Sequence, residues 1–199
     1  MSVNIKLILA SGSPRRLDLL RQAGIEPEVC VADVQELTGS LPPADLVRCN
    51  AELKARAVAE QRPPDCDECI LAADTVVALD DEIFGKPADE AEAADMLRRL
   101  SGRQHSVFSG VAVCYNGRLQ SGVAESRVCF REIMPSEIAE YVAGGEPLDK
   151  AGAYAVQGGA AKFVTNIVGD FDNIVGLPLR LAAELLPEGL VWRPNSGRE

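Results

Sequence analysis

The sequence predicts one α/β domain in which helices flank a mixed sheet. Apolar runs typical of buried strands alternate along the chain with segments whose apolar residues recur at helical spacing. An Asn116-Gly117 pair between two strand-like runs is a strong hairpin signal, so the sheet is expected to include antiparallel neighbours. The 199 residues suffice for one domain, and we expect a deep cleft between two lobes.

The N-terminal half of the chain predicts two strands and three helices. Gly24 marks the end of the first helix. In the second helix, Leu46, Leu53 and Ala57 are expected to lie on one apolar side, and in the third the apolar residues fall at i, i+3, i+4 and i+7. In chain order we expect a strand at 5–10, a helix that includes Leu17, Leu20 and Ala23, a helix at 44–60, a strand at 69–79 and a helix at 89–100.

The C-terminal half predicts three strands and two helices. The first two strands form the hairpin around Asn116-Gly117, and Pro178 lies near the start of the closing helix. The expected elements are strands at 105–115 and 122–130, a helix at 135–142, a strand at 163–168 and a helix at 176–186. No repeat or linker divides the chain, so residues 1–199 are taken as one domain whose polar tail, from about 187, frays.

Composition and charge restrict the classes of function. Hydrophobic residues make up 47% and charged residues 25%, as in soluble globular proteins, and no apolar run approaches the ~20 residues of a membrane span. The apolar start at 5–10 is too short for a signal peptide, so we expect a cytoplasmic protein. A net charge of -10 argues against nucleic-acid binding but permits a small anion beside a local basic cluster.

The six cysteines are scattered through the chain, and reduced thiols are expected. Cys66 and Cys69 form a CxxC pair, which is half of a zinc site, and His105 is the only histidine. A loop before a strand explains the pair as well, and we favour that interpretation.

The first candidate motif follows the first strand, at residues 11–16. Ser13 suits a helix N-cap and Pro14 suits the first helical position, so free N–H groups at the helix start would favour a phosphate. Arg15 and Arg16 lie at the end of the helix dipole that disfavours cations, and a bound anion would offset this. An ordinary cap followed by two solvated arginines fits the spacing equally well.

The second candidate is Asp74, the single carboxylate in an apolar strand at 72–77. A buried and unpaired Asp costs several kcal/mol, so this side chain must be paired, hydrogen-bonded or bound to a metal. An Asp that caps a neighbouring helix or turn is the structural alternative. We favour a functional role, because carboxylates at strand ends in α/β sheets often face a ligand.

Three further polar residues are weak candidates when each is taken alone. Lys86 lies in a turn fixed by Pro87, yet most loop lysines are solvated. Lys54 lies on an alanine-rich helix, where its stem could simply lie along the apolar surface. Gln157, in the small-residue segment 149–159, offers a donor and an acceptor suited to a nucleobase edge, although without context a loop glutamine in water is the more common case.

Taken together and in this order, these segments resemble the Maf family of nucleotide pyrophosphatases. The resemblance extends from Leu9 to about Leu185 and is closest to the branch that acts on dTTP and UTP. The branch that acts on 7-methyl-GTP usually differs at the positions of Arg15, Thr75 and Gln157. The resemblance implies hydrolysis of dTTP or UTP to the monophosphate and pyrophosphate.

The resemblance also implies roles for individual residues. Asp74 is the expected proton acceptor for the attacking water and a metal ligand, and Glu36 is the second acidic residue at the metal. Gln35 departs from the family, which often has another acid there, so the number of metal ligands is left open, with Asp33 as an alternative acid. The residues expected to set specificity are Arg15, Thr75 and Gln157, and those expected to hold phosphate or support the site are Ser11, Arg16, Lys54 and Lys86.

A divalent cation, Mg²⁺ or Mn²⁺, is the cofactor that the resemblance implies, and a nucleoside triphosphate is the substrate. Family members are often homodimers. Two alternatives are kept open: the same chemistry on modified or methylated nucleotides, and a nucleotide-binding regulator of cell division without turnover. A regulator would bind dTTP and metal yet release no pyrophosphate.

Overall fold

A computed structural model describes residues 5–39, 41–62, 67–80, 82–188 and 190, and it confirms the α/β class with a mixed sheet. The strands are β1 Lys6–Leu9, β2 Glu28–Val29, β3 Glu68–Leu79, β4 Glu82–Phe84, β5 Gln104–Tyr115, β6 Arg118–Phe130 and β7 Val164–Val168. The α-helices are α1 Pro14–Gln22, α2 Pro43–Glu60, α3 Glu90–Leu100, α4 Pro135–Ala143, α5 Phe171–Val175 and α6 Leu179–Leu185. No helix in these described ranges is long and apolar enough to span a membrane.

The sheet has the order β2-β1-β3-β5-β6-β7, with β4 paired to β3. Strand β1 pairs in parallel with β2 and β3, whereas β4 and β7 run antiparallel to β3 and β6. Asn116 and Gly117 both have positive φ, at 49° and 71°, as a two-residue turn between β5 and β6 requires. The hairpin prediction is therefore confirmed.

The chain divides into two compact units. The first unit comprises the described residues of 1–74, 109–124 and 176–199, and the second comprises those of 75–108 and 125–175. Strands β3, β5 and β6 contribute residues to both units. The cleft between two lobes stays a prediction.

In the first unit, small residues allow α2 to approach the sheet closely. Ala51 and Ala55 of α2 are fully buried in a cluster with residues of β1 and β3. At Gly110 of β5, an added Cβ would lie 2.2 Å from the carbonyl oxygen of Val47, so only glycine fits at this contact. The close approach fixes the helix face that carries Asn50 and Lys54.

The second unit has an aromatic core beneath short helical segments. His105, Phe130 and Tyr154 make edge-to-face contacts with ring centroids 4.8–5.3 Å apart. Helix α3 packs against α4 and against the first two of three short 3-10 helices. These are Glu146–Asp149, Ala151–Ala153 and Gly159–Phe163.

The predicted apolar side of α2 was partly wrong. Leu53 is exposed, because the buried stripe runs through Val47, Ala51, Ala55 and Val58. Leu46 is buried, as predicted. The prediction for Leu53 failed because the residues of α2 that face the sheet include small alanines and not only large apolar residues.

The closing helix begins three residues later than predicted. Helix α5 ends at Val175, Gly176 follows with a φ of 120°, and α6 begins at Leu179. The short elements β2, β4, α5 and the 3-10 helices were not predicted, because two to five residues carry no usable periodicity. The tail predicted to fray begins at about 187, and 189 and 191–199 of it lie outside the described residues.

Candidate functional site

The loop between β1 and α1 is stabilised by Ser11 rather than by Ser13. Ser13 occupies the N-cap position with an extended backbone, and Pro14 is the first helical residue, but the Ser13 side chain makes no capping hydrogen bond. Instead, the Ser13 N–H donates to the buried Ser11 Oγ at 3.3 Å. The predicted N-cap and first helical positions are therefore confirmed, although the hydroxyl that accepts in this turn is that of Ser11 and not that of Ser13.

The Arg16 guanidinium is held by hydrogen bonds that include those to Gly176 and Ser11. Its Nε donates to the Gly176 carbonyl oxygen at 2.8 Å, and its Nη1 donates to Ser11 Oγ at 3.0 Å. Burial lowers the pKa of Arg16, while the negative charges of Asp74 and Glu36 oppose this shift. Arg16 is thus a positioned cation in the field of both acids, and the alternative of a solvated arginine is excluded.

Asp74 lies in the middle of β3 rather than at a strand end, and it is buried with both carboxylate oxygens bonded. Lys54 Nζ donates to its Oδ1 at 2.7 Å, and Asn50 Nδ2 donates to its Oδ2 at 3.1 Å. These bonds offset the cost of burying a carboxylate, as the sequence required. Each oxygen accepts one of these bonds, and an ionised carboxylate has about four acceptor positions, so Asp74 has acceptor capacity for a further donor.

Lys54 bridges two acids. Its Nζ lies 2.7 Å from Asp74 Oδ1 and 2.8 Å from Glu36 Oε1. The Lys54 side chain is only 12% exposed, whereas that of Glu36 is 53% exposed. The interpretation of Lys54 as a solvated lysine was therefore wrong, and the two acids converge on one positive charge.

Asn50 was missed by the sequence analysis. It lies on the buried face of α2, where its Oδ1 accepts from the Leu37 N–H at 2.7 Å and its Nδ2 donates to the Leu37 carbonyl oxygen at 3.1 Å. The third bond goes to Asp74. The available signal was a lone polar residue beside Leu46, Val47 and Ala51, the same kind of signal that identified Asp74.

The second unit contains the other three candidates. Thr75 directly follows Asp74 in the chain and is half-buried, whereas Lys86 and Gln157 are exposed. The Gly85 carbonyl oxygen beside Lys86 accepts from the Gly152 N–H at 3.0 Å. The Lys86 turn is thereby tied to the segment that leads to Gln157.

The loop that carries Gln157 is fixed through its backbone on both sides. The Ala155 N–H donates to Tyr141 Oη at 3.1 Å, and the Gly159 N–H donates to both carboxylate oxygens of Glu146, at 3.2 and 3.1 Å. Tyr141 Oη in turn donates to Glu146 Oε1 at 2.8 Å. Burial raises the pKa of Tyr141, so the hydroxyl remains a donor.

Glycine is required at position 158 for this arrangement. An added Cβ would lie 2.1 Å from Glu146 Oε1, so a side chain there would displace the carboxylate. Glu146 and Gly158 therefore support the shape of the Gln157 loop together, a relation that the sequence analysis did not find.

The oxygen donors of Asp74 and Glu36 suit a hard divalent cation, and both already contact one positive charge, that of Lys54 Nζ. Within the described parts of the chain, no group of three or more acidic, histidine or cysteine side chains could hold a metal. Mg²⁺ commonly takes one or two carboxylates from the protein and its other oxygen ligands from substrate phosphates and water, so the number of acids here is compatible with that ion.

The five described cysteines are free thiols, as predicted. Cys69 is buried, and burial raises the pKa of its thiol to about 12. Cys66 lies outside the described residues, so the zinc alternative for the CxxC pair is untested.

The family model for Maf-like proteins matches residues 6–189. This chain belongs to the Maf-like family. A relative from Bacillus cereus (strain AH820), named dTTP/UTP pyrophosphatase, is 46% identical over 182 residues, which is 90% of this Maf-like chain and 94% of the relative. One from Pelotomaculum thermopropionicum, with the same name, is 46% identical over 184 residues, covering 91% and 95% of the two chains.

Among solved structures, the Staphylococcus aureus Ham1 protein aligns with a TM-score of 0.42 and 15% identity, over 63% of this Maf-like chain and 71% of that one. The family resemblance is confirmed by the relatives.

The first unit brings together Ser11, Arg16, Glu36, Lys54 and Asp74, with Arg15 close enough to affect the pKa of Arg16. The assigned roles of these residues stay predictions.

Proposed function

We propose that this chain is a nucleoside triphosphate pyrophosphatase that hydrolyses dTTP and UTP to the monophosphate and pyrophosphate. The observation that carries the proposal is the buried Asp74 carboxylate, which is bonded to Lys54 and lies in the field of Arg16. An acid held among cations suits the preparation of water beside a polyphosphate. The relatives that are 46% identical are named for this activity.

Asp74 is the proposed general base. A water molecule attacks the α-phosphorus, and Asp74 takes its proton as the new P–O bond forms. The bond from the α-phosphorus to the bridging oxygen breaks, and its electron pair leaves with pyrophosphate. Lys54 and Asn50 fix the direction of the carboxylate, while its remaining acceptor capacity is available to the water.

Positive side chains stabilise the leaving pyrophosphate. Arg16 is held by Gly176 and Ser11, so little reorganisation is needed when charge develops on the phosphate oxygens. Lys54 and Lys86 are proposed to act in the same way, with Lys86 fixed by its Pro87 turn.

We assign Glu36 and Asp74 as the protein ligands of a divalent cation, Mg²⁺ or Mn²⁺. The ion supplies neutralisation of phosphate charge when it is bound. The chain itself contributes these two carboxylates, and both contact the ammonium group of Lys54 on α2.

Gln157 is proposed to recognise the base, together with Arg15 and Thr75. Uracil and thymine share an edge with an acceptor, a donor and an acceptor, part of which an amide can satisfy. The loop is fixed at Ala155 and Gly159, so less conformational entropy is lost when the exposed Gln157 side chain binds. A homodimer and a cytoplasmic location stay predictions.

Pyrophosphate release across a panel of nucleoside triphosphates, with and without Mg²⁺, tests the proposal. We expect release from dTTP and UTP only in the presence of the metal. Preference for a modified or methylated nucleotide would change the substrate assignment. Binding of dTTP without any release of pyrophosphate would refute the enzyme assignment and favour a regulator.

A further inference from the structure

Asn50 occupies a buried position that favours an apolar residue. Its side chain is 2% exposed and lies on the stripe of α2 that includes Val47 and Ala51. A buried amide that lacked partners would destabilise the fold, yet Asn50 uses both amide hydrogens and its oxygen in three bonds. The partners also fix its orientation, because the opposite placement would turn Oδ1 toward the Leu37 carbonyl and the Asp74 carboxylate.

The bonds to Leu37 act on the loop between β2 and α2, which is also held at its start by the bond from the Cys30 N–H to the Leu9 carbonyl oxygen and at Glu36 by Lys54. The residues from Cys30 to Gly39 form no helix or strand, and the Leu37 side chain is 42% exposed. Burial of that side chain therefore cannot anchor the loop, whereas the Asn50 amide binds both the N–H and the carbonyl of the Leu37 backbone. Glu36 is the residue immediately before this anchor.

Asn50 and Lys54 are one helical turn apart on α2, and both contact Asp74. Lys54 reaches the Glu36 side chain, while Asn50 reaches the backbone of Leu37. The neutral amide can bond to Asp74 without adding a charge that would repel a divalent cation. One helix face therefore sets the separation of Asp74 and Glu36 through two contacts of different kinds.

We propose that Asn50 is a positioning residue that fixes the Glu36 loop relative to the Asp74 carboxylate, and thereby raises the affinity of this acid pair for a divalent cation. The inference rests on the proposed function for the identity of the ion. Outer partners that orient metal ligands typically contribute 10–100-fold in metal affinity or activity. Asn50 would do so for both acids at once.

The test is an Asn50→Leu variant of the full chain, with Mn²⁺ binding measured by electron paramagnetic resonance in the absence of nucleotide. Leucine has the same branching as asparagine, with two methyl groups in place of the amide oxygen and nitrogen, and it suits the apolar stripe, so a purely structural role predicts unchanged binding. We expect the dissociation constant for Mn²⁺ to rise about 10-fold, within the range for such partners. Leu53→Ala, an exposed position on the same helix, is the matched control and should bind Mn²⁺ like the parent chain.

A double-variant cycle with Glu36→Gln identifies the route of the effect. If Asn50 acts through the Glu36 loop, Asn50→Leu weakens Mn²⁺ binding much less in the Glu36→Gln background. Parent-like binding by Asn50→Leu, or effects of the two substitutions that simply multiply, would overturn the proposal.

Two features keep the test decisive. If Asn50→Leu does not fold, Leu37→Pro removes the N–H that donates to Asn50 Oδ1 and leaves α2 intact, and it should weaken Mn²⁺ binding in the same way. Because Mn²⁺ binding is measured without nucleotide, failure of the parent chain to release pyrophosphate would refute the proposed function alone, and the Asn50 comparison would still be decided.

Discussion

In the first unit Asp74 is held by side chains, whereas in the second unit the loop that carries Gln157 is held through its backbone. Lys54 and Asn50 bond directly to the buried Asp74 carboxylate. Gln157 itself is exposed, and Tyr141 and Glu146 bond only to N–H groups on either side of it. A proposed base needs partners that set its direction, while a proposed recognition residue needs a rigid loop and a side chain that can still reach a ligand.

Removal of Lys54 should have the largest effect on this contrast. Lys54→Met keeps most of the side-chain volume but leaves the buried Asp74 without its cation, and loss of one partner of a buried pair costs about 3–5 kcal/mol. We expect the free energy of unfolding in urea to fall by about 3 kcal/mol. Pyrophosphate release should fall about 10³-fold, because Asp74 and Glu36 both lose Lys54 as their common partner.

Lys150→Met is the matched control. Lys150 is as little exposed as Lys54, at 13%, but its acidic partner Asp149 is 65% exposed and its other bond goes to the Glu146 carbonyl oxygen, which carries no charge. Since an exposed partner is solvated when its cation is removed, the loss of stability should stay near 1 kcal/mol. Equal losses of stability for the two methionine variants would break the distinction between the units.

Acid should destabilise the second unit through His105. The ring is buried, its Nε2 shares a hydrogen bond with Tyr154 Oη at 2.8 Å, and among the described residues its Nδ1 has no partner. Burial lowers the pKa of His105 to about 4, from an ordinary value of 6.5. As the pH falls, His105 is therefore protonated in the unfolded chain before it is protonated in the folded one. The stability that the neutral ring contributes is complete above about pH 6.5 and is lost as the pH falls towards 4.

The loss amounts to about 3 kcal/mol at its limit. The measurement is the free energy of unfolding between pH 7 and pH 4 for the parent chain and for His105→Phe, which does not titrate. The difference between the two free energies should vary with pH, and its slope should correspond to the uptake of up to one proton on unfolding. Parallel pH profiles would show that His105 does not take up a proton on unfolding in this range.

Gly158→Ala should have the smallest effect of the three and should act on substrate choice. Its Cβ would overlap Glu146 Oε1, which displaces the carboxylate from Gly159 and loosens the Gln157 loop. We expect kcat/KM for dTTP to fall about 10-fold, the size of a lost hydrogen bond to a charged group, with Mn²⁺ binding unchanged. The same substitution in a Glu146→Ser background, which provides space, should cost less, whereas an equal loss there would contradict the displacement mechanism.

The residues that the sequence could identify are those that break a pattern. Asp74 interrupts an apolar strand and Arg16 follows a helix start, so both were found, and the long elements α2, α3, β3 and β5 were placed within one or two residues. Asn50 breaks a pattern too, but the buried side of α2 was assigned to Leu53 instead of to the alanines, and the signal was lost.

Other parts of the site depend on contacts that leave no local trace. Glu146 bonds to the Gly159 N–H, 13 residues further along the chain, and Arg16 to the Gly176 carbonyl, 160 residues away. A backbone partner can be provided by any residue type, so the sequence carries no mark of it. The short strands β2 and β4 were not predictable for the same reason, because their pairing depends on backbone groups that the tertiary fold brings together.

The most direct test of the account is pyrophosphate release from dTTP by Asp74→Asn, with dTTP binding measured on the same preparation. Asparagine keeps the shape but cannot accept the proton, so turnover should fall by about 10²–10⁴-fold while nucleotide binding is largely retained. Asp95→Asn, an exposed acid on α3, should match the parent chain. Full turnover by Asp74→Asn would contradict the assignment of this carboxylate as the base.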